Sequence, residues 1–456
     1  MSNFIPLIPE SSYELPAKPN AQLAHLPGPS GHWLYGNFRQ LGPNPAAGLT
    51  ELRARYGDCF TLGFFRNRRV LVMVGPAANE LILMDRDGNF SSHWGWEVVQ
   101  RFFGRNILVR DFDDHRQHRK LMTHLFKAQS LKLYLKCMRA PVERSLERLE
   151  GPLDVYQRTK TLALDIAVRV FAGITADDVA DWNRDLTMVL SNVMAHRIRL
   201  PGTSYWQALR ARDRLRLRLQ KEIANRRGRS GDDLLSQLVN HRDEEGRVLC
   251  DQDIVDHMFG FLFAAHDTTA SSLAMLAWQL ARYPDSQTAA RQECRRLREE
   301  SGTELLRYED LGQLTSIDSL FKETLRMFAP IQFIPRRNQS RFCFQGHNIP
   351  ENTQILLAPQ VSHFDSELFA EPDRFLPQRF EQTTLAPFSF IPFGKGSHTC
   401  LGMQFANMEI KAVLYRLLLK YRLRIQKSQT LELDYLPIVR PKKGMTIIFE
   451  SLADDG

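Results

Sequence analysis

Apolar residues recur at helical spacing through most of this chain, with strand-like runs near its two ends and between Ile331 and Phe393. A first helix is predicted at Ala46–Tyr56. Two β-rich runs follow, Cys59–Phe65 and Arg69–Val74, and their separation by Arg66-Asn67-Arg68 predicts a hairpin. From Ala78 to Tyr308 the pattern is mainly helical, with long periodic stretches at Asp154–Phe171, Ala180–Ala195, Tyr205–Arg226 and Ile254–Arg282. A further helix is expected at Ile317–Phe328. Short strands and turns rich in Pro and Phe occupy Ile331–Phe393, and a helix runs from about Leu401 to Tyr421. Strand-like runs close the chain at Leu431–Leu436 and Met445–Phe449. The sum is a mainly α protein with small β-sheets.

At 456 residues the length prior allows about three domains. No stretch has linker composition and no repeat is visible, so one domain is expected over 1–456. Residues 1–25 are expected as an N-terminal extension, with the main body, 26–456, beginning at the stiff Leu26-Pro27-Gly28-Pro29 entry loop. The N-terminus lacks the basic and apolar regions of a signal peptide. The strongest apolar run, Met258–Ala265, is far too short to span a bilayer. The expectation is a cytoplasmic protein without a transmembrane anchor. Net charge is +8, but acids lie among most of the bases. The basic stretch Arg210–Arg229 reads as a solvated helix face and not as a nucleic-acid site. The six cysteines are scattered with no CxxC pair, against a disulfide scaffold or a zinc site of usual spacing.

One cysteine stands apart. Phe393-Gly394-Lys395-Gly396-Ser397-His398-Thr399-Cys400-Leu401-Gly402 has the form Phe-Gly-x-Gly-x-x-x-Cys-x-Gly. Its glycines allow a tight loop whose backbone approaches a flat ligand closely. Cys400 falls at the start of the following helix, where free N–H groups and the dipole are expected to lower its pKa. A lone thiolate in such a loop can be an axial iron ligand or a nucleophile; the competing reading is an inert buried cysteine, which the flanking glycines disfavour. Elsewhere, Glu323-Thr324-Leu325-Arg326 puts an acid and a base on one helix face. Phe369–Phe380 carries Arg379, and His115 and Arg119 lie four apart. Asp267 and Thr268 interrupt the longest apolar helix, where a carboxylate is costly unless paired. A threonine hydroxyl there can also bond a carbonyl one turn back and kink the helix.

The cysteine segment resembles the haem-ligand loop of the cytochrome P450 family, and the other motifs stand in that family's order. The resemblance implies the P450 fold, with haem b between the long central helix and the Cys-ligand loop. It implies Cys400 as the iron ligand, with Phe393, Gly394 and Gly402 packing or tuning the loop. His115, Arg119, Arg336 and His398 would hold the haem propionates; His398 stands where many members have Arg, and the neighbouring Arg337 makes a one-residue error conceivable. Glu323, Arg326 and Arg379 would form a structural network. Ala264 and Ala265 would border the oxygen groove, Ala265 replacing a more frequent Gly. Thr268 and Asp267 would deliver protons there, with His266 a candidate for the relay. Trp94, Phe103, Phe261, Phe263, Ile331 and Phe333, with the region around Met194–Tyr205, are the expected pocket walls.

The function so implied is a monooxygenase that hydroxylates or otherwise oxidises a hydrophobic small molecule: terpenoid, sterol-like, retinoid-like, fatty acyl or polyketide. The chain shows no Gly-x-Gly-x-x-Gly flavin or NAD fingerprint and no Cys cluster for iron–sulfur. Electrons are therefore expected from a ferredoxin- or flavodoxin-type donor with its reductase, docking on Arg116, Arg119, Lys120 and Lys395. A peroxygenase or isomerase with the same cofactor, a non-catalytic haem sensor and a cysteine hydrolase remain the alternatives.

Overall fold

The computed structural model describes residues 22–32, 36–37, 41–42, 44–64, 68–174, 176–192, 198–382, 384–426 and 429–452. Most of the expected extension 1–25, the centre of the hairpin turn and the Met194 region lie outside them.

Helix α1 (Pro45–Tyr56) starts where the Asn44 side chain accepts from the Ala46 N–H at 3.1 Å and Pro45, which has no N–H, needs no acceptor. The predicted hairpin follows as β1 (Cys59–Phe64) and β2 (Arg68–Met73), antiparallel from Cys59↔Met73 to Phe64↔Arg68. Next come α2 (Pro76–Met84), β3 (Phe90–Ser91), α3 (Glu97–Phe103), α4 (Phe112–Thr123), α5 (Ala128–Ser145) and β4 (Gly151–Asp154). Asp154 then caps α6 (Val155–Ala172), accepting from the Tyr156 N–H at 3.1 Å, and left-handed Gly173 ends it. Helices α7 (Ala176–Ser191), α8 (Ser204–Arg226) and α9 (Leu234–Asn240) precede the central α10 (Asp251–Arg282). That helix is buried nearly all round, the burial its apolar run demands.

Helices α11 (Pro284–Ser301) and α12 (Thr315–Phe328) pack beside it. Strands β5 (Ile334–Asn338), β6 (Phe342–Phe344), β7 (His347–Ile349) and β8 (Gln354–Leu357) follow, then two short helical turns at Pro359–His363 and Arg379–Gln382. The chain closes with α13 (Met403–Lys420), β9 (Tyr421–Ile425), β10 (Leu433–Asp434), β11 (Arg440–Pro441) and β12 (Thr446–Ser451).

One mixed sheet runs β1-β2-β8-β5-β3, with β2 and β8 parallel and the other pairs antiparallel. A second runs β4-β12-β9. The expected strand Leu431–Leu436 shrinks to two residues paired with β11, because the Pro437 turn ends it. The helices share one large apolar core, while two smaller cores line the β1-to-β8 sheet.

One buried group carries a pH signature. Glu409 on α13 is 1 % exposed and its Oε1 has no partner. Burial alone pushes its carboxyl up to about 8. Below about pH 4.5 the carboxyl is protonated in both folded and unfolded chains, and its full contribution to stability is present. As pH rises toward 8 the unfolded chain ionises first, and stability is lost. Glu409→Gln is therefore expected to gain up to about 4 kcal/mol over the native protein between pH 5 and pH 8.5. Denaturant melts at the two pH values check this; an equal difference at both would remove the assignment.

Candidate active site

The segment 393–402 is tied into a tight loop. Gly394 N–H donates to Ile391 O at 3.0 Å, Thr399 N–H to Gly396 O at 3.1 Å and Cys400 N–H to Phe393 O at 2.9 Å. Gly396 has φ +69° and would place a Cβ 1.9 Å from the Leu83 carbonyl of α2, so only glycine fits. The Phe393 ring meets Phe321 of α12 edge-on at 6.4 Å. Helix α13 begins at Met403 with Gly402 as its cap, two residues later than expected, so Cys400 sits ahead of the helix and not in its first turn.

The Cys400 sulfur is solvent-accessible, yet burial is the largest influence on its thiol. It therefore faces interior space. The expected lowering of its pKa is corrected: burial raises it, and the Gly402 N–H and Arg119 only partly oppose that. A cation bound at the sulfur would reverse the balance.

Four basic side chains converge beside the loop. His115 and Arg119 come from α4, Arg336 from β5 and His398 from the loop itself. The rings of His115 and His398 stack with centroids 3.9 Å apart. Arg119 Nη2 donates to Thr399 O at 2.7 Å. Burial, reinforced by Arg119 and Arg336, pushes His115 down to about 3 and His398 well below its ordinary value. Burial also lowers Arg336 to about 10, against the pull of Asp111 and Asp85. Residues alternate along a strand, so Arg337 leaves the other face of β5 and lies 5.4 Å from the Trp94 ring. Arg336 is thus the arginine of this cluster. The buried Nε2 of His115 has no hydrogen-bond partner. This donor set fits the carboxylates of a flat ligand whose metal meets Cys400.

On α10, Ala264 is exposed and Phe263, Ala265, Asp267 and Thr268 are half-buried, in a helix otherwise enclosed. Thr268 Oγ1 donates to Ala264 O at 2.5 Å, the one-turn-back bond anticipated for it. His266 Nδ1 lies 3.1 Å from the Asp267 Oδ1, without straight hydrogen-bond alignment, and Lys160 Nζ of α6 lies 3.9 Å away. Burial works to raise the Asp267 pKa, but His266, Lys160 and Arg440 outweigh it and hold the carboxyl low. Lys160 and Arg440 went unnoticed in the sequence. They come from α6 and the closing hairpin, and no local spacing connects them to Asp267.

The expected pocket walls divide. Phe103 and Phe263 stack at 4.3 Å. Phe261 is a correction: two residues from Phe263, it points about 200° round the helix and packs between Phe126 (5.7 Å) and Phe171 (6.3 Å). Trp94 is half-buried, its ring 5.4 Å from the Arg337 guanidinium and 4.8 Å from the His93 ring. Phe333 packs with the sheet core of Leu49, Phe60 and Val361. Ile331 is half-buried in the loop after α12.

Glu323, Arg326 and Arg379 do meet. Arg326 Nε and Nη2 donate to the two Glu323 oxygens at 2.8 and 2.9 Å, and Arg379 Nε donates to Oε1 at 3.1 Å. The anticipated basic docking face is smaller than expected. Lys120 pairs with Glu244 at 2.9 Å and Arg116 with Asp113 at 2.5 Å, leaving Lys395 exposed. The α8 arginines 214, 216 and 226 likewise pair with Asp185, Asp256 and Glu222.

The family model described as cytochrome P450 matches residues 26–449. The chain belongs to the cytochrome P450 family. Among proteins similar to it is cytochrome P450 136 of Mycobacterium tuberculosis, 33% identical over 390 residues, covering 82% of this chain and 78% of that protein. Taxane 13-alpha-hydroxylase of Taxus cuspidata is 29% identical over 393 residues, covering 83% and 81%. Among solved structures, a retinoic acid-bound cyanobacterial CYP120A1 superposes with TM-score 0.82 at 26% identity, over 94% of this chain and all of that one. This P450 is a haem-thiolate monooxygenase. It carries haem b and takes electrons from a redox partner to oxidise a hydrophobic substrate with O2. Among the described residues, no helix is long and apolar enough to cross a membrane.

Proposed function

We propose that this P450 hydroxylates a terpenoid- or retinoid-like molecule, with electrons from a ferredoxin- or flavodoxin-type donor. The observation carrying the reaction type is the Asp267–Thr268 turn, an acid and an alcohol at the accessible break in an otherwise enclosed helix. The stacked Phe103–Phe263 wall supports the substrate class. So does the likeness to a taxane hydroxylase and to a P450 solved with retinoic acid.

When bound, the haem supplies reductive activation of O2 at its iron. The protein's own residues do the rest. Cys400 holds the metal, and the Gly402 N–H moderates the charge on sulfur. His115, Arg119, Arg336 and His398 anchor the carboxylate edge. The Thr268 hydroxyl holds a proton at Oγ1. Asp267, kept ionised by Lys160, Arg440 and His266, accepts protons from the solvent side and renews it. Phe103 and Phe263 exclude water from the substrate side.

Thr268→Ala tests this. Donor oxidation should continue while product formed per electron falls at least about tenfold and peroxide accumulates. Unchanged turnover with peroxide alone, or with no donor, would instead establish a peroxygenase or isomerase. The substrate class is read by titrating the resting haem spectrum with diterpenoids, retinoids, sterols and fatty acids. A shift with fatty acids only would overturn it.

A further inference from the structure

Helix α4 presents two working faces. His115 and Arg119 face the cysteine loop. Asp114 and His118, also four apart, face α10. On that second face His118 Nδ1 lies 2.9 Å from His257 Nε2 of α10, and both rings are buried, at 1 % and 0 % exposure. The Asp114 Oδ1 lies 3.3 Å from His118 Nε2. Arg110 binds Asp114 through Nη1 at 2.8 and 3.1 Å, and through Nη2 reaches Asp253, one turn before His257. Two polar bridges thus join α4 to α10.

Both imidazoles are neutral. Burial, with Arg110 nearby, holds His118 at about 2 and His257 well below its ordinary value. Between two neutral rings one nitrogen donates and the other accepts; the Asp114 carboxylate near Nε2, though not aligned as a hydrogen bond, favours the His118 proton there and the His257 Nε2–H as donor. A directional bond between two rings tolerates little rotation of either helix. Apolar side chains would fill the space equally well but would not select one rotation, and one residue of rotation is 100°.

We propose that His118 and His257 are a positioning pair: their hydrogen bond fixes the rotation of α4 and so holds His115 and Arg119 against the haem carboxylates and the Cys400 loop. The proposal rests on the haem reading above, and it assigns the pair a role behind the groups that touch the cofactor. Hydrogen-bond partners behind metal ligands typically alter metal affinity by about 10–100-fold, and an effect of that order is expected here for the haem.

The test uses the haem-loaded protein and reads haem transfer to excess apo-globin, with thermal melting of the haem-free protein in parallel. His257→Leu should speed haem loss by about 10–100-fold. His257→Gln retains an Nε2–H of similar reach and should stay within about threefold of the native rate. Leu280→Ala, in the same helix but remote from α4, calibrates for general destabilisation and should retain haem. The proposal is overturned if His257→Leu holds haem like the native protein, or if the Gln variant fails equally. It is also overturned if Leu280→Ala, at the same loss of melting temperature, releases haem as fast. If His257→Leu does not fold, His257→Gln against the shorter His257→Asn decides: loss in Asn alone supports the pair, and equal retention overturns it. Native protein that binds no haem would instead sink the cofactor reading itself.

Discussion

Cys400→His leaves the reduced, carbon monoxide-treated protein without the red-shifted Soret band of thiolate ligation. Substrate oxidation is expected to fall by on the order of a thousandfold or more. The reason lies in how the six cysteines are disposed. Cys59 and Cys294 are buried, with thiols pushed up to about 12 by burial and neighbouring carboxylates. The Cys250 sulfur donates to Asp253 Oδ2 at 3.3 Å. Cys137 and Cys343 are exposed on α5 and β6, away from the loop. Cys400 alone combines accessibility, a backbone N–H directed at sulfur and a basic neighbour in Arg119. No other thiol can take its place, and an imidazole in the same loop lacks the sulfur charge that shifts the band. Cys294→Ser is the matched control and should keep band and activity. A Cys400→His protein that retains the band would show that the iron is held elsewhere.

What the sequence disclosed follows from what is local. The Phe393–Gly402 spacing, the acid and base three apart at Glu323 and Arg326, and the Asp267–Thr268 break are short-range patterns. Each is readable because a turn of helix or a tight loop fixes its geometry. The hairpin at Cys59–Met73 and the long apolar α10 are legible for the same reason. Side-chain direction was less legible. Phe261 and Phe263 look equivalent as aromatic residues in one apolar run, but a two-residue step on a helix turns them to opposite sides. Arg336 and Arg337 are neighbours in sequence, and strand alternation in β5 sends them to opposite faces. The Cys400 pKa was misjudged because helix-end electrostatics are visible in sequence, whereas burial, the larger influence, is a property of the assembled interior. Lys160 and Arg440 around Asp267, and His257 opposite His118, join segments more than 100 residues apart. No window along the chain could have paired them.

The second large effect is expected at Glu323. Its side chain and that of Arg326 are fully buried, and Arg379 is 10 % exposed. Glu323 Oε1 also accepts from the Leu376 N–H at 2.9 Å. Arg326 donates to the carbonyls of His363 and Arg374 at 2.8 and 3.2 Å, between the rings of Phe364 and Phe369. The stretch from His363 to Arg379, 37 to 56 residues further along the chain, is thus pinned to α12 through two charges. Glu323→Ala removes the carboxylate that Arg326 and Arg379 share and leaves the Arg326 guanidinium buried without its counter-charge, at a cost of about 3–5 kcal/mol. That is a large share of the stability of a typical domain, and the variant should express poorly and lose haem. Arg379→Ala should cost less, since the Glu323–Arg326 bond survives it and the side chain already reaches solvent. The double variant Glu323→Leu/Arg326→Met distinguishes lost charge balance from lost packing. With both charges gone, it should be more stable than Glu323→Ala by about 2 kcal/mol or more. Chemical denaturation of the three variants reads the order directly. If the double variant is the least stable, the network holds the fold through its hydrogen bonds to the backbone, and the uncompensated charge is not the main cost.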